Sequence, residues 1–222
     1  MQISLIKLIF ADILYDNLNM SVSLLLPACY LPNVSYFHAI KQHEGPILIE
    51  QFENYPKQTF RTRAQIATAN GILDLIVPIV HGRKERVAIK EIKINYDHPW
   101  QRLHWLSLQT AYRSSAYFEY YEEDFRRFFT QRFDFLLDYN VQQVTLLLKL
   151  LKLPRELSLT DSYQELPATE LDLRKAMSPR QAPLLQNPQP YYQLFEEKQG
   201  FLPNLSVVDL LFSQGPQAKQ YF

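Results

Sequence analysis

The first indication of the fold class comes from residues 22–42, whose sequence is VSLLLPACYLPNVSYFHAIKQ. Residues 22–26 are apolar and compatible with a β-strand, which predicts a short buried strand that ends at Pro27. Asn33 is a residue type that caps helices, and a helix is predicted from about residue 34 to residue 42. This strand, loop and helix would form a Rossmann-like first unit.

Other segments also have the length and apolar content of strands. They lie at residues 47–52, 72–80 and 87–94, and residues 63–69 are ambiguous before the turn Asn70-Gly71. Residues 72–80 are apolar on both faces, which predicts a central strand. Residues 87–94 alternate apolar and charged side chains, and an exposed turn at residues 81–85 would join the two segments as an antiparallel hairpin. The sheet is therefore expected to be mixed.

The second part of the chain has mainly helical patterns. Helices are predicted at about residues 97–112, capped by Asp97; at 122–129, with 133–138 continuing after a break; at 141–151, capped by Asn140; and after Ser206. A short strand is expected at residues 157–159 and an irregular proline-rich segment at 178–190. Together these patterns predict an α/β (or α+β) fold, with a mixed sheet built from the N-terminal half and a helical C-terminal half packed on it.

The length of 222 residues fits one large domain or two small ones, and we expect a single domain over residues 20–222. Residues 1–19 are expected to be a non-essential extension, with a docking helix as the alternative. The apolar run at residues 3–14 is interrupted by Lys7 and Asp12 and is shorter than the about 20 residues that span a bilayer. The residues after it also fit a signal peptide poorly.

Composition argues against several functions. The net charge is zero, so no overall field attracts nucleic acid or an anionic membrane. Cys29 is the only cysteine, which rules out an internal disulfide and makes a cysteine-based zinc site unexpected. The five glycines form neither GxGxxG nor a Walker loop, and no metal-binding motif occurs. We expect no cofactor and no metal.

Residues 50–63, EQFENYPKQTFRTR, combine basic, acidic and aromatic side chains. If the chain were extended, Lys57, Arg61 and Arg63 would lie on one side of it, because side chains alternate faces along a strand. That side could bind a carboxylate, a phosphate or a sugar diphosphate. The alternative is a solvated edge strand whose basic residues pair with Glu50 and Glu53.

A second candidate cluster lies on the predicted helix at residues 100–113. Trp100 and His104 are one turn apart, so an exposed indole could stack a sugar or a base while the imidazole transfers a proton. The alternative is a core helix with a hydrogen-bonded histidine. Cys29 is a further candidate, because a helix N-terminus after the first strand could lower the pKa of its thiol.

Five motifs in order resemble the WbqC-like family. They are Tyr30-Leu31-Pro32 with Tyr36-Phe37, residues 53–66, Asn70-Gly71 before Val77-Pro78, the helix at residues 100–112, and GFLPNLS at residues 200–206 with DLLF at 209–212. The similarity extends over about residues 22–222. Each motif alone is weak, but five in the same order are hard to obtain by chance.

The resemblance implies a place in O-antigen or other surface-polysaccharide synthesis, where transfer of a glycyl or other acyl group to an amino sugar has been suggested for the family. The matched polar positions are Lys57, Arg61, Arg63, Asn70, His104, Tyr112 and Asp209. Many members carry His-Gln-Pro-Asn before Tyr-Leu-Pro. This chain has Leu26-Pro27-Ala28-Cys29 there and lacks that histidine.

We therefore expect a cytoplasmic transferase that acts on an activated sugar or acyl donor in surface-polysaccharide or envelope synthesis. Its partner would be a small anionic ligand such as a nucleotide sugar, with no nucleic acid and no transmembrane segment. His104 is the predicted general base. The predicted substrate-binding residues are Lys57, Arg61, Arg63, Tyr112 and Glu53. The alternative is a non-catalytic module that recognises a protein or an envelope precursor.

Overall fold

The computed structural model describes residues 22–80, 86–163, 165 and 170–222. The predicted extension at residues 1–19 and the predicted turn at residues 81–85 lie outside the described residues. The strands are β1 (Ser23–Pro27), β2 (Ile47–Glu50), β3 (Arg63–Thr68), β4 (Gly71–Ile76), β5 (Leu157–Leu159) and β6 (Glu170–Asp172). The helices are α1 (Val34–Gln42), α2 (Trp100–Tyr112), α3 (Phe118–Thr130), α4 (Leu136–Leu150), α5 (Glu196–Gln199) and α6 (Val207–Gln214), with 3-10 turns at Ile89–Glu91 and Gly215–Gln220.

The main sheet is parallel and has the strand order β5-β2-β1-β6. In its register, Leu25 of β1 lies between Leu48 of β2 and Asp172 of β6. Along the chain, strands are added outward from β1 to β2 to β5, and β6 then returns to the opposite side of β1. The position between β1 and β6 is therefore the switch point of the sheet, and the carboxyl ends of all four strands meet at one edge.

An antiparallel hairpin, β3 with β4, stands apart from this sheet. The predicted pairing of residues 72–80 with residues 87–94 is wrong, because β4 pairs with the segment whose sequence pattern is ambiguous. Gly71 in the connecting turn has a φ of 111°, which residues with a side chain rarely adopt. Closing a two-residue turn loses less chain entropy than closing the longer connection through residues 81–85 would. Ile79 and Ile94 still form an isolated bridge.

The expectation of a central strand at residues 72–80 is also wrong. Strand β4 has β3 as its strand neighbour, and Ile72 and Ile76 remain 52% and 48% exposed. Residues 87–94 contain the 3-10 turn rather than a strand. An apolar run does not distinguish a strand covered on both faces from one that leaves apolar side chains in water, because covering depends on distant segments. The prediction of an α/β fold with a helical C-terminal half is confirmed, with parallel and antiparallel pairing in separate sheets.

Helix α1 forms at the predicted residues, and the Asn33 side chain caps it by accepting a hydrogen bond from Tyr36 N. Helix α2 ends at Tyr112 as predicted but begins at Trp100. Asp97 does not cap this helix, because its carboxylate accepts a hydrogen bond from the Asn95 amide. The predicted strand at 157–159 and the irregular segment at 178–190 are confirmed.

Helix α4 begins five residues before the predicted one, so Asn140 lies inside the helix rather than at its cap. The side chain of Asn140 is fully buried, and its Nδ2 donates to the carbonyls of Ala28 at 3.0 Å and Arg61 at 2.8 Å. An asparagine that favours caps in isolation is therefore placed mid-helix by tertiary hydrogen bonds. These two bonds join α4 to the carboxyl end of β1 and to the loop that carries Arg61.

Helix α6 docks in the core, as its apolar sequence predicts, since every residue from 207 to 213 is buried. Ser206 precedes the helix, but its hydroxyl donates to the carbonyl of Leu31 at 2.7 Å instead of capping the helix. The C-terminal segment therefore packs against the loop that follows β1.

Replacing Asn140 with leucine should destabilise the fold by about 3 kcal/mol, because two buried carbonyls lose their donor. Urea unfolding measures this change. Gln142→Leu, at an exposed amide of the same helix, is the matched control and should change stability by about 0.5 kcal/mol or less. Equal effects of the two substitutions would show that the Asn140 bonds do not hold these elements together.

Candidate functional site

A cleft of about 450 Å3 lies against residues that follow the carboxyl ends of β2 and β6. Its wall combines charged, amide and aromatic side chains: Glu53, Asn54, Arg61, Tyr163, Arg174 and Lys175. The carboxyl edge of a parallel sheet, next to a switch point, is the usual place for a ligand in such folds.

One buried charged pair of this cleft joins Arg61 to Glu53. Arg61 Nε and Nη2 donate to the two oxygens of Glu53 at 2.6 and 2.7 Å, which is a bidentate pair. The Arg61 side chain is 2% exposed. Burial raises the pKa of Glu53, and the guanidinium of Arg61 opposes that effect. The loop holds Glu53 in place, because its carbonyl accepts from Ile89 N at 2.9 Å.

A second charged group joins residues at the carboxyl ends of β2, β5 and β6. Arg174 donates to Asp172 at 2.7 and 3.0 Å and to Glu50 at 2.9 Å. Thr160, which follows β5, donates to the other oxygen of Glu50 at 3.0 Å. Although burial raises the pKa of Asp172, the hydrogen bonds from Arg174 outweigh it and lower that pKa overall. The same bonds, which Arg174 donates to Asp172, raise the pKa of Arg174.

The two charged groups form one network. Arg61 Nη2 also donates to the backbone carbonyl of Arg174 at 3.3 Å, and the ring of Tyr163 lies 5.0 Å from the Arg174 guanidinium. Three carboxylates and two guanidiniums meet in this network. Since each guanidinium is held by at least one carboxylate, the network fixes the shape of the cleft wall and supplies acceptors for ligand hydroxyls.

Two of the three basic residues predicted to bind substrate lie elsewhere. Residues 57–62 form turns, so the alternation expected for an extended chain does not apply to them. Lys57 is exposed, and Arg63 pairs with Asp74 of β4 at 3.3 Å. Neither residue lines the cleft, whereas the predicted residues Glu53 and Arg61 both do.

The comparison with known proteins identifies the family. The model of the WbqC-like protein family matches residues 28–182 of this chain. The chain belongs to the WbqC-like family. No curated protein and no solved structure matches it. All residues that line the cleft lie within the matched range.

The described part of this WbqC-like chain has neither a membrane-spanning helix nor a metal-binding cluster. In the described residues, no helix has the length and apolar character needed to cross a membrane. The same part of the chain holds no group of three or more His, Cys, Asp or Glu side chains suited to a metal ion.

The predicted base His104 lies in an aromatic cluster of the WbqC-like domain. Its Nδ1 is 2.9 Å from the Tyr30 hydroxyl, and its ring packs edge-on against Trp100 at 5.1 Å. His104 is 7% exposed and is not among the residues that line the cleft. Burial lowers the pKa of His104 to about 4, with a backbone hydrogen bond to Ile76 acting weakly in the other direction. Trp100 is buried as well, so no exposed indole stands beside this imidazole.

Tyr112 also lies in the core. Its hydroxyl donates to Asp209 at 2.8 Å and accepts from Ala67 N at 3.2 Å. Asp209 also accepts hydrogen bonds from Tyr191 and Gln193, at 2.7 and 2.9 Å. Burial raises the pKa of Asp209, and these bonds oppose that effect. The four side chains join α2 to α6 and to the segment after the proline-rich loop.

Cys29 is buried in the loop that follows β1. Burial raises the pKa of its thiol to about 12, and the nearby Arg61 charge lowers it by less. Because the thiolate is the nucleophilic form, this environment keeps Cys29 unreactive.

The sequence-based prediction missed Glu50 as a site residue and missed Thr160, Asp172 and Arg174 altogether. One local pattern could have indicated part of the network. Asp172 and Arg174 are two residues apart, so their side chains share a face of an extended segment. Their meeting with Glu50 depends on β6 returning to the far side of β1, which no local pattern indicates.

Tyr112→Phe should destabilise the protein by about 2 kcal/mol, because Asp209 loses a donor and Ala67 N loses its acceptor. Thermal or urea unfolding measures the change. Tyr120→Phe removes a hydroxyl from a tyrosine that is 74% exposed and should have almost no effect. A Tyr112→Phe variant of unchanged stability that weakens ligand binding would instead support a direct binding role for Tyr112.

His104 should make stability depend on pH in a defined direction. Its folded-state pKa of about 4 lies below the ordinary value of 6.5, so the unfolded chain binds more protons between these values. The resulting stabilisation is present above pH 6.5 and is lost as the pH falls toward 4. Between about pH 7 and pH 5 the loss should be about 2 kcal/mol. Urea unfolding of the wild type and of His104→Gln at both pH values isolates this contribution, and parallel losses in the two proteins would contradict it.

Proposed function

We propose that this WbqC-like protein is a cytoplasmic transferase that acts on an activated sugar or acyl donor in surface-polysaccharide or envelope synthesis, and that the cleft is its donor site. The observation that carries this proposal is the position of the cleft at the carboxyl edge of the parallel sheet, beside the switch point, with Arg61, Glu53 and Lys175 in its wall.

The anionic part of the donor would be bound by side chains, since the chain has no glycine-rich phosphate loop. Arg61 uses Nε and Nη2 in its described bonds, and its Nη1 has no partner among the described residues. Lys175 adds an exposed ammonium on the same wall. Both groups can donate to phosphate or carboxylate oxygens, and the ring of Tyr163 offers a surface for a sugar or a base.

Glu53 is our candidate for the general base. It lines the cleft, whereas His104, the base predicted from the sequence, does not. As the acceptor hydroxyl or amine forms its bond to the acyl or anomeric carbon, its proton would pass to Glu53. The bond from that carbon to the leaving group would break, and the leaving group would depart as an anion beside Arg61 and Lys175.

One observation favours the alternative of a non-catalytic binding module. Ile72 and Ile76 of β4 and Leu103 and Leu106 of α2 are all 45–57% exposed. Exposed apolar residues on neighbouring elements are typical of a protein contact. A contact through these apolar residues would leave the charged cleft without a role. For that reason we prefer the transferase.

A thermal-shift screen of the full chain against nucleotide sugars, acyl-CoAs and aminoacyl analogues tests the proposal. A ligand at 100 times its Kd stabilises the folded state by about 2.7 kcal/mol. Lys175→Gln should weaken such a ligand about tenfold. Arg63→Ala, which removes a positive charge outside the cleft, is the matched control and should leave binding unchanged.

Glu53→Gln then separates binding from chemistry. Glutamine keeps the size of the side chain and one oxygen that can accept from Arg61, so we expect the variant to retain the donor and to lose about 100-fold or more of the transfer rate. If Arg63→Ala abolishes binding while Lys175→Gln does not, the donor site lies at the hairpin and our assignment is wrong. No shift with any donor class would favour the binding module.

A further inference from the structure

The cleft does not end at its charged wall. Ser178 and Gln181 line it, and they also line a second hollow of about 190 Å3. We call the cleft around Glu53 and Arg61 the charged compartment and the second hollow the amide compartment. The amide compartment lies between the N-terminus of α1, strand β3 and the first part of the proline-rich segment.

The two compartments differ in chemistry. No Asp, Glu, Lys, Arg or His is among the residues that line the amide compartment. Its polar side chains are all amides or hydroxyls: Asn33, Ser35, Gln65, Ser178, Gln181 and Asn204. Such groups can each donate and accept hydrogen bonds, as a sugar hydroxyl does, whereas an anion needs donors alone. The compartment therefore matches an uncharged ligand that is rich in hydroxyl groups.

Two of these amides are held in fixed orientations. Asn33 Oδ1 accepts from Tyr36 N at 3.1 Å, and Asn204 Oδ1 accepts from Ser35 N at 3.0 Å. Because each oxygen is bound to the backbone of α1, each NH2 group must be directed elsewhere. Neither NH2 group has a partner among the described residues, although Asn33 is only 7% exposed. These are preorganised donors at the wall of the compartment, and binding to them loses little side-chain entropy.

The compartment also has an apolar wall. Phe60 and Met177 are buried side chains that line it, and Pro179, Pro183 and Pro203 complete this part of the surface. A sugar ring has polar edges and apolar C–H faces, so an aromatic or apolar wall opposite amide groups is suited to it. At about 190 Å3 the hollow is smaller than the roughly 300–1,000 Å3 of pockets for drug-sized ligands, which restricts the ligand to a single ring.

We propose that the amide compartment binds one uncharged, hydroxyl-bearing ring of monosaccharide size, and that this ring belongs to the acceptor of the transfer. The binding itself rests on the compartment alone, and the acceptor role rests on the proposed function. Because Ser178 and Gln181 are shared, a ring in this compartment adjoins a donor in the charged compartment.

Saturation-transfer NMR on the full chain tests the binding with N-acetylglucosamine, N-acetylgalactosamine, glucose and galactose as probes. At least one probe should bind the wild type. Ala182→Trp fills the amide compartment without altering a residue of the charged one, and Asn204→Asp keeps the Oδ1 acceptor but removes the NH2 donor. Each variant should weaken the probe about tenfold or more. Asn187→Trp and Asn187→Asp, on the same irregular segment outside both compartments, are matched controls and should bind as the wild type does.

Absence of binding by every probe, or binding that survives Ala182→Trp, would overturn the inference. The donor screen with Lys175→Gln reports separately on the charged compartment. If the sugar probes fail while a Lys175-dependent donor still binds, the inference falls and the proposed transferase stands. If a sugar probe binds as expected and no donor does, the amide compartment is a sugar site and the transferase proposal falls.

Discussion

Arg61 carries a permanent positive charge at a place that water hardly reaches, and the two oxygens of Glu53 are what make this tolerable. Removing one partner of such a pair typically costs about 3–5 kcal/mol, whereas replacing the whole pair with apolar residues is often neutral. The pair therefore fixes the positions of the two side chains more than it stabilises the fold. Once the guanidinium plane is fixed, Nη2 reaches the carbonyl of Arg174, and the loop after β2 must fold inward against the end of the sheet.

The remaining strand ends follow from this constraint. Arg174 joins the end of β6 to Glu50 at the end of β2, and Thr160 after β5 donates to the same carboxylate. Asn140 supports the arrangement from the helical half by holding the carbonyl of Arg61. The carboxyl edge of the sheet is thus closed by charge-assisted hydrogen bonds rather than by apolar side chains, and a rigid, wettable wall is left facing the cleft.

The two compartments of the cleft share a construction principle. In each, one end of a polar side chain that lines the hollow is bound by the protein, and the other end has no partner among the described residues. Glu53 holds Nε and Nη2 of Arg61 and leaves Nη1, while the backbone of α1 holds the oxygens of Asn33 and Asn204 and leaves their NH2 groups. Such groups are oriented before a ligand arrives, which is how a small site gains specificity.

The amino-acid sequence by itself determined the features that depend on near neighbours: β1 with helix α1 and its Asn33 cap, the turn at Gly71, the end of α2, and the irregular proline-rich segment. It also carried the family resemblance, because motif order is a property of the sequence alone. The predictions of these local features succeed because capping, turn geometry and proline act over a few residues.

Tertiary structure alone decided which polar residues meet. Three basic side chains within seven residues looked equivalent in sequence. Arg61 is nevertheless buried while Lys57 and Arg63 are not, because it bonds to Glu53 and Arg174. These partners are 8 and 113 residues away along the chain. Asn140 was expected to cap a helix. It is instead a buried hydrogen-bond donor to carbonyls in segments 112 and 79 residues distant. Burial and pairing are set by contacts between segments that are remote in sequence. Those contacts exist only once the strand order of the sheet is established.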